Sequence, residues 1–292
     1  MNAIEPNEKE INAAIAGALA EDIAGGDATS EALIPVELEG KATLLVKEAG
    51  VLAGIGVAAR VFHTVDPALK VNITAKDGDS IKPGDTLGTI SGSIVSLLKA
   101  ERTALNFLQR MSGVASLASR YAAAVKGTNA RIYDTRKTTP GLRVLEKYAV
   151  RMGGGYNHRR DLGDAVLIKD NHIAAMRMAG LTLEQIIEKA RKNSRPGITI
   201  EVEVTSVDEA AEALKARPDI IMLDNMSVND MKKAVELVKG RAKIEASGNI
   251  TLKNVREVAD TGVDIISIGA LTHSYTSLDI SLEMEPRAMK LI

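Results

Sequence analysis

Residues 220–268 repeat one rhythm, in which an apolar run is followed by polar residues and then by a helical segment. I-I-M-L at Ile220–Leu223 precedes D-N and a helix predicted over Val228–Lys239. V-D-I-I-S-I at Val263–Ile268 follows a helix predicted over Leu252–Thr261. Continuous apolar runs of this length are typical of parallel strands whose outer face is covered by helices. This part of the chain therefore predicts repeated strand–helix units.

The same rhythm extends back to Ala130. Strands are predicted to end at Asp134, Lys169, Val204, Asp224, Ala246 and Ile268, and earlier helices are predicted over Leu142–Met152, Leu183–Lys192 and Val207–Ala216. A complete βα barrel has eight units, and fewer are legible here. The predicted fold class is α/β, with an incomplete, open barrel of about six to seven βα units.

The first hundred residues differ in style and predict a separate amino-terminal α/β sandwich domain. Helical apolar spacing covers Ile11–Leu19, K-A-T-L-L-V-K at Lys41–Lys47 reads as a strand, and the two Gly-Asp pairs in Asp77–Ile90 predict tight turns. A long helix is predicted over Ser96–Val125, with a break allowed at Gly113. The expected domains are 1–110, joined by the tail 275–292, and the catalytic barrel 111–274.

Composition excludes several classes of function. The chain has 292 residues, a net charge of -1 and no cysteine, so neither disulfides nor a thiolate metal site is available. Two Phe, five Tyr and no Trp argue against a base-stacking nucleic-acid surface. No segment has the length and apolarity of a membrane span, and a cytoplasmic location is expected.

Cations are concentrated between Arg131 and Lys169, although the whole chain is nearly neutral. This segment contains nine Lys or Arg residues (Arg131, Arg136, Lys137, Arg143, Lys147, Arg151, Arg159, Arg160, Lys169) and four acids (Asp134, Glu146, Asp161, Asp164). A positive field that is local indicates a small, highly anionic ligand rather than a polyanion. The predicted strands also end in polar residues, where barrel enzymes carry their chemistry.

Several of these cations are candidate ligand-binding residues. Arg136 and Lys137 follow a strand, and guanidinium and ammonium groups suit carboxylates and phosphates, although a solvated turn is the alternative. Asn157-His158-Arg159 follows three glycines and is either a ligand loop or a flexible surface loop. Lys169 ends an apolar run, where an unpaired charge is costly. Its alternative role is a salt bridge with Asp164 or Asp170, and a structural role for His172 is equally open.

Acids on neighbouring strand ends predict a cation site. Glu201 and Glu203 alternate on one strand and therefore face the same side, and Asp224 ends another strand. Oxygen ligands without His or Cys suit magnesium held partly by substrate phosphates. Ion pairing to Lys169 or the cationic loops is the alternative, and both can hold. S-G-N at 247–249 and I-G-A at 268–270 offer backbone amides for phosphate, or are plain turns.

With these residues assembled, the chain resembles the quinolinate phosphoribosyltransferases, also called decarboxylating nicotinate-nucleotide pyrophosphorylases. The resemblance is carried nearly end to end by E-D-I-A-G-G-D-A-T (21–29), E-R-T-A-L-N-F-L-Q-R-M-S-G-V-A (101–115), T-R-K-T-T-P-G-L-R (135–143), G-G-G-Y-N-H-R (153–159), L-I-K-D-N-H (167–172), E-V-E-V (201–204), I-M-L-D-N (221–225), E-A-S-G-N-I (245–250) and I-S-I-G-A-L-T-H-S (266–274). It implies a homodimer whose sites are completed by the neighbouring subunit.

The resemblance also implies a reaction and a set of site residues. Quinolinate and phosphoribosyl pyrophosphate would give nicotinate mononucleotide, pyrophosphate and carbon dioxide in NAD biosynthesis, with Mg2+. The implied quinolinate-binding residues are Arg136, His158, Arg159 and Lys169, with Arg102 from the partner. The implied residues for phosphoribosyl pyrophosphate and magnesium are Thr135, Lys137, Glu203, Asp224, Ser247, Gly248, Gly269 and His273. Glu203 is preferred to Glu201 because its spacing to Asp224 matches the family.

Three other functions remain open from the sequence. The same scaffold could take another heterocyclic acid, although a monocarboxylate would need fewer cations than Arg136, Arg159 and Lys169 supply. A phosphate-binding barrel lyase or isomerase would turn over a sugar phosphate without releasing pyrophosphate. A non-catalytic ligand-binding protein would bind phosphoribosyl pyrophosphate without turnover, and the presence of Lys137, Glu203 and Asp224 argues against it.

Overall fold

The computed structural model describes residues 4–291, and the chain forms two compact units. The barrel unit comprises residues 120–137 and 155–270. The amino-terminal unit comprises residues 4–119 and 138–154 and the residues from 271 onward. Within the described residues, each helix is too short or too polar to cross a bilayer. The domain limits expected from the sequence stay a prediction.

Helices and strands alternate along most of the chain. The helices are α1 (Glu8–Ile23), α2 (Ala28–Leu33), α3 (Ile55–Val65), α4 (Ile94–Ala124), α5 (Arg143–Met152), α6 (Asp170–Met178), α7 (Leu183–Asn193), α8 (Val207–Lys215), α9 (Val228–Val238), α10 (Val255–Ala259) and α11 (Ala270–His273), with a 3-10 turn at Pro286–Ala288. The strands are β1 (Leu38–Val46), β2 (Gly50–Val51), β3 (Lys70–Ile73), β4 (Ser80–Ile81), β5 (Thr86–Ser93), β6 (Arg131–Tyr133), β7 (Val166–Ile168), β8 (Ile200–Val204), β9 (Ile220–Asp224), β10 (Lys243–Ser247), β11 (Ile265–Ser267), β12 (Ile280–Met284) and β13 (Lys290–Leu291).

The amino-terminal unit is built on an antiparallel sheet in the order β12-β1-β5-β3, and β13 also pairs with β1. Alternate residues of β1, among them Ala42, Leu44 and Val46, are buried, as expected for a strand with one face on a core. Leu44 lies opposite Leu282 of β12, so the end of the chain completes this sheet. β2 and β4 form a separate two-stranded pair.

Helix α4 runs without a break from Ile94 to Ala124, so the break allowed at Gly113 does not occur. Gly113 serves close packing instead, because a Cβ at this position would overlap the carbonyl oxygen of Thr276. Helix α5 packs in the same unit, where the buried Glu146 forms an ion pair with Arg110 of α4 at 2.6 Å between Oε1 and Nη2. A buried carboxylate requires such a partner.

The barrel unit contains a six-stranded parallel sheet in the order β6-β11-β10-β9-β8-β7. Each of its strands ends at the predicted residue or one residue away from it. The fold is therefore the predicted open α/β barrel with an antiparallel-sheet domain. Along the edge of β6, Tyr156 forms a parallel bridge with Tyr133, and the two rings stack at 5.5 Å between centroids.

Helix α6 is the one barrel element among the described residues that the apolar spacing does not predict. Of its residues, Ile173 alone is buried, so the helix carries almost no amphipathic signal. His172 contributes to its start, because its Nδ1 accepts the backbone N–H of Lys169 at 3.0 Å. This bond is a structural contact of His172, one of the two roles that the sequence left open.

Candidate active site

The carboxyl ends of β8, β9 and β10 bring three predicted site residues to one edge of the parallel sheet. Val204 pairs with Leu223, and Ser247 pairs with Asp224. Because side chains alternate along a strand, Glu203, Asp224 and Ser247 follow one another around this edge. We call Lys169, Glu203, Asp224 and Ser247 the rim.

The rim combines two acids with one cation. Lys169 Nζ lies 3.9 Å from Glu203 Oε2, and the Glu203 side chain is 13% exposed. Burial raises the pKa of Glu203 and the nearby Asp224 raises it further, while Lys169 opposes both effects. A carboxylate whose charge is disfavoured by a neighbouring carboxylate gains from binding a cation. The salt bridges of Lys169 with Asp164 or Asp170 that the sequence left open are replaced by this contact with Glu203.

Arg136 and Arg159 supply a second, cationic part of the site. Arg159 is buried, and its Nη1 donates to the carbonyl oxygen of Ala165 at 3.2 Å. Burial lowers the pKa of Arg159, and the nearby guanidinium of Arg136 lowers it further. Like charges held together are stable beside an anion, so this pair has the electrostatics of a carboxylate or phosphate site.

The loop after β6 holds these cations in place. The Thr135 hydroxyl oxygen accepts the backbone N–H of Lys137 at 3.0 Å, which closes a tight turn around Arg136. Asp134 is fully buried and accepts from Asn157 Nδ2 at 2.6 Å and from the backbone N–H of His158 at 2.8 Å. A single carboxylate therefore ties the T-R-K turn to the N-H-R segment. This role of Asp134 was not predicted from the sequence, which places it at a strand end and among the acids of the cationic segment.

Below the rim lies a buried cluster that we call the floor, formed by His158, Glu201 and Glu245. His158 Nε2 is 3.2 Å from Glu201 Oε2 and 3.4 Å from Glu245 Oε2, and all three side chains are at most 5% exposed. Burial raises the pKa of Glu201, and the neighbouring carboxylate of Glu245 raises it further. The sequence did not single out Glu245, although it alternates with Ser247 on β10 just as Glu201 alternates with Glu203.

The protonation of His158 decides what the floor can hold. Burial lowers the pKa of His158, but the carboxylates of Glu201 and Glu245 outweigh it and raise the pKa to about 10. The hydrogen bond at Nδ1 opposes full protonation, because Nδ1 accepts the backbone N–H of Arg159 at 2.8 Å and a protonated Nδ1 could not accept. In this tautomer the ring proton sits on Nε2, facing the two carboxylates. A metal-ligating Nε2 would require the opposite tautomer, with Nδ1 donating. Although the three groups lie within 4.8 Å of one another, their chemistry is that of carboxyls sharing protons around a histidine.

The turns after β10 and β11 contain the candidate phosphate ligands. Gly248 has a φ of 93°, a conformation that favours glycine. Ser247, Gly248 and Gly269 are half-buried at the ends of these two strands. The last candidates, Arg102 and His273, are exposed residues of the amino-terminal unit, on α4 and α11.

Comparison with known proteins identifies the family. The family model described as "Quinolinate phosphoribosyl transferase, N-terminal domain" matches residues 27–112, and the model of the C-terminal domain matches residues 114–283. The chain belongs to the quinolinate phosphoribosyltransferase family. It is therefore an enzyme, a pentosyltransferase, as the resemblance implied.

Similar proteins from plants and bacteria support this family assignment. A Nicotiana tabacum protein named quinolinate phosphoribosyltransferase (decarboxylating) 2b, mitochondrial, is 44% identical over 92% of this chain and 80% of its own length. A Synechocystis protein named probable nicotinate-nucleotide pyrophosphorylase (carboxylating) is 42% identical over 91% of this chain and 90% of its own. The crystal structure of NadC from Streptococcus pyogenes has a TM-score of 0.92 at 42% identity, covering 99% of both chains.

Proposed function

We propose how this site divides the work of the family reaction, in which phosphoribose passes from phosphoribosyl pyrophosphate to quinolinate with loss of carbon dioxide. The supporting observation is that the Arg136–Arg159 pair and the acidic rim belong to one barrel unit. A dianionic acceptor needs converging cations, and a ribosyl donor that develops positive charge needs carboxylates. Both demands are met by residues at strand ends.

The quinolinate end is assigned to Arg136, Arg159 and Lys169. Two guanidinium forks and one ammonium suit two carboxylates on adjacent ring carbons. The resemblance implies direct contact by His158, but its Nδ1 accepts the Arg159 backbone amide and its Nε2 faces the floor. We therefore assign His158 a supporting role, in which it holds Arg159 in place from below.

The phosphoribosyl pyrophosphate end is assigned to Thr135, Lys137, Glu203, Asp224, Ser247, Gly248, Gly269 and His273. The oxygen donors of Glu203 and Asp224 on neighbouring strands fit Mg2+, which these residues would hold together with oxygens of the substrate. Bound there, magnesium would offset the charge of the departing pyrophosphate. Lys137 adds a second positive charge for the same purpose, and the half-buried Gly248 turn offers backbone amides to the 5′-phosphate.

The chemistry requires little covalent work from the protein. The pyridine nitrogen of quinolinate attacks the anomeric carbon, so that a C–N bond forms as the C–O bond to pyrophosphate breaks. Glu203 and Asp224 stabilise the positive charge that develops on the ribose. The pyridinium then accepts the electron pair of the departing 2-carboxylate, and the ring carbon takes up a proton. Positioning of the two substrates supplies much of the rate.

We further propose that the chain works as a homodimer in the cytoplasm, with Arg102 completing the quinolinate site of the partner. Arg102 is exposed on α4, as a residue lent to a neighbour would be before assembly. Arg102→Ala and Arg159→Ala should each abolish activity in a folded dimer. Random mixing of the two should restore about a quarter of the wild-type rate, because half the dimers then contain one intact site. No recovery on mixing would rule out a shared site.

The direct test is a magnesium-dependent assay with quinolinate and phosphoribosyl pyrophosphate, in which pyrophosphate and nicotinate mononucleotide are followed together. Formation of both in equal amounts is expected. If the folded protein turns over nicotinate or another heterocyclic acid but not quinolinate, the assignment of the substrate is wrong and the assignment of the scaffold stands.

A further inference from the structure

Two asparagines at the ends of barrel strands adopt a left-handed backbone conformation. Asn225 has a φ of 53° and Asn249 a φ of 50°. Among the described residues, the other non-glycine cases are Arg217 and Lys239, which follow helices α8 and α9 and end them in the usual way. Asn225 and Asn249 instead follow strands β9 and β10, so helix capping does not explain their left-handed conformation. Such conformations cluster where a function requires them.

The side chains of the two asparagines form a chain of hydrogen bonds that ends on Asp224. Asn249 Nδ2 donates to Asn225 Oδ1 at 2.9 Å, and Asn225 Nδ2 donates to Asp224 Oδ2 at 2.9 Å. An ionised carboxylate can only accept, so the amide nitrogen of Asn225 must face Asp224 and its oxygen must face Asn249. The direction of both bonds is therefore fixed by chemistry.

The surrounding backbone is shaped around Asn225. Its N–H donates to the carbonyl oxygen of Ser247 at 2.9 Å, which extends the strand pairing beyond Asp224. A Cβ on Gly248 would overlap the Oδ1 atom of Asn225, so this glycine leaves the space that the amide occupies. Asn249 is tied down in turn, because its carbonyl oxygen accepts from Asn254 Nδ2 at 3.2 Å.

We propose that Asn225 and Asn249 are positioning residues that fix the rotamer of Asp224, so that Oδ2 is held by the amide and Oδ1 is presented to the ribose and magnesium side of phosphoribosyl pyrophosphate. The inference rests on the role proposed above for Asp224. A neutral amide orients a carboxylate without cancelling its charge, unlike Lys169, which lies 3.9 Å from Glu203. The hydrogen bonds thus hold Asp224 in a single orientation.

Asn225→Gly removes the amide and keeps the left-handed backbone without strain, whereas alanine would add strain of its own. Because a hydrogen bond to a charged group is lost, we expect kcat/KM for phosphoribosyl pyrophosphate to fall about tenfold. The KM for quinolinate should not change. Asn249→Gly acts one bond further away and should cost about threefold in the same parameter, since only a neutral hydrogen bond is lost. Lys239→Gly, an exposed left-handed residue at the end of α9, is the matched control and should leave both substrates unaffected.

Asp224→Asn and the double variant with Asn225→Gly complete a cycle. They are compared by calorimetric titration with phosphoribosyl pyrophosphate in the presence of magnesium, which needs no turnover. If Asn225 acts through Asp224, the second change should weaken binding no further than Asp224→Asn alone. An independent further loss, or equal effects of Asn225→Gly on both substrates, would overturn the positioning role. Full activity of Asp224→Asn would instead overturn the role of Asp224 itself, while the assay of product formation still tests the reaction.

Discussion

Glu201 and Glu203 lie two residues apart on β8 and face the same side of the sheet, yet they differ in environment. Glu201 is fully buried in the floor with His158 and Glu245. The Glu203 side chain is 13% exposed on the rim and faces Lys169. The two carboxyl groups are thus about 7 Å apart along the strand. The charge of Glu201 can be balanced only by other groups of the protein, whereas Glu203 can contact a ligand.

The two acids have the same chemistry and differ in depth, so we expect the part-exposed Glu203, and not the buried Glu201, to act on substrate. In the floor, His158 and the two carboxylates lie close enough to share protons, because an uncompensated charge would be costly there. On the rim, burial and Asp224 oppose the charge of Glu203 and Lys169 favours it, so a bound cation would stabilise the ionised form. An acid that faces the barrel interior therefore need not be catalytic.

The sharpest test of this contrast is the matched pair Glu203→Gln and Glu201→Gln, which are isosteric changes on one strand. Glu203→Gln should lower kcat about 10²–10³-fold, since it removes a charge aimed at the developing ribosyl cation. Its unfolding midpoint should not fall, because burial and Asp224 already disfavour its charged form. Glu201→Gln should keep kcat within about tenfold. Equal loss of activity in the two variants would show that the floor takes part in the chemistry.

The buried carboxyls of the floor should make the free energy of unfolding depend on pH. Burial first, and Glu245 second, raise the pKa of Glu201 from 4.5 to about 7 in the folded protein. Between these pH values the folded protein holds a proton that the unfolded chain releases, so the free energy of unfolding should fall as pH rises. The loss is at most about 3 kcal/mol. Denaturant unfolding of Glu201→Gln between pH 4.5 and pH 8 should show a flatter profile than the wild type. An identical slope would mean that Glu201 is ionised in the floor.

Strand limits and rim residues were predictable from the sequence because they depend on local pattern. Ile220–Asp224 is an apolar run that ends in one acid, and its position in the sheet follows from the alternation of strands and helices. The floor was not predictable. Glu245 lies between Ile244 and Ala246, and its partner His158 is distant in sequence, so only the folded sheet brings them together. The hydrogen bonds that link Asn249, Asn225 and Asp224 likewise depend on the backbone conformation of Asn225. Composition does not encode that conformation.

Lys169→Ala tests the cation of the rim. Loss of a charge-assisted contact should raise the KM for quinolinate about 10–100-fold and change the KM for phosphoribosyl pyrophosphate much less. Lys192→Ala, an exposed lysine in the last turn of α7, is the matched control and should have no effect on either substrate. If both substrates lose affinity equally in Lys169→Ala, Lys169 mainly serves to balance Glu203.

The smallest effect is expected at Ser247, where the rim meets the phosphate turn. Ser247→Ala removes one hydroxyl donor to the substrate phosphate and should raise the KM for phosphoribosyl pyrophosphate about fivefold at unchanged kcat. The backbone bond from Asn225 to the Ser247 carbonyl oxygen survives this change, so Asp224 stays in place. Ser267→Ala on the neighbouring strand β11 is the control. The Ser267 hydroxyl is buried without a hydrogen-bond partner among residues 4–291, so its removal should leave both KM values unchanged and stability equal or slightly higher. A change in kcat for Ser247→Ala would contradict this assignment, because it would mean that the hydroxyl acts at the reacting centre together with the acids of the rim.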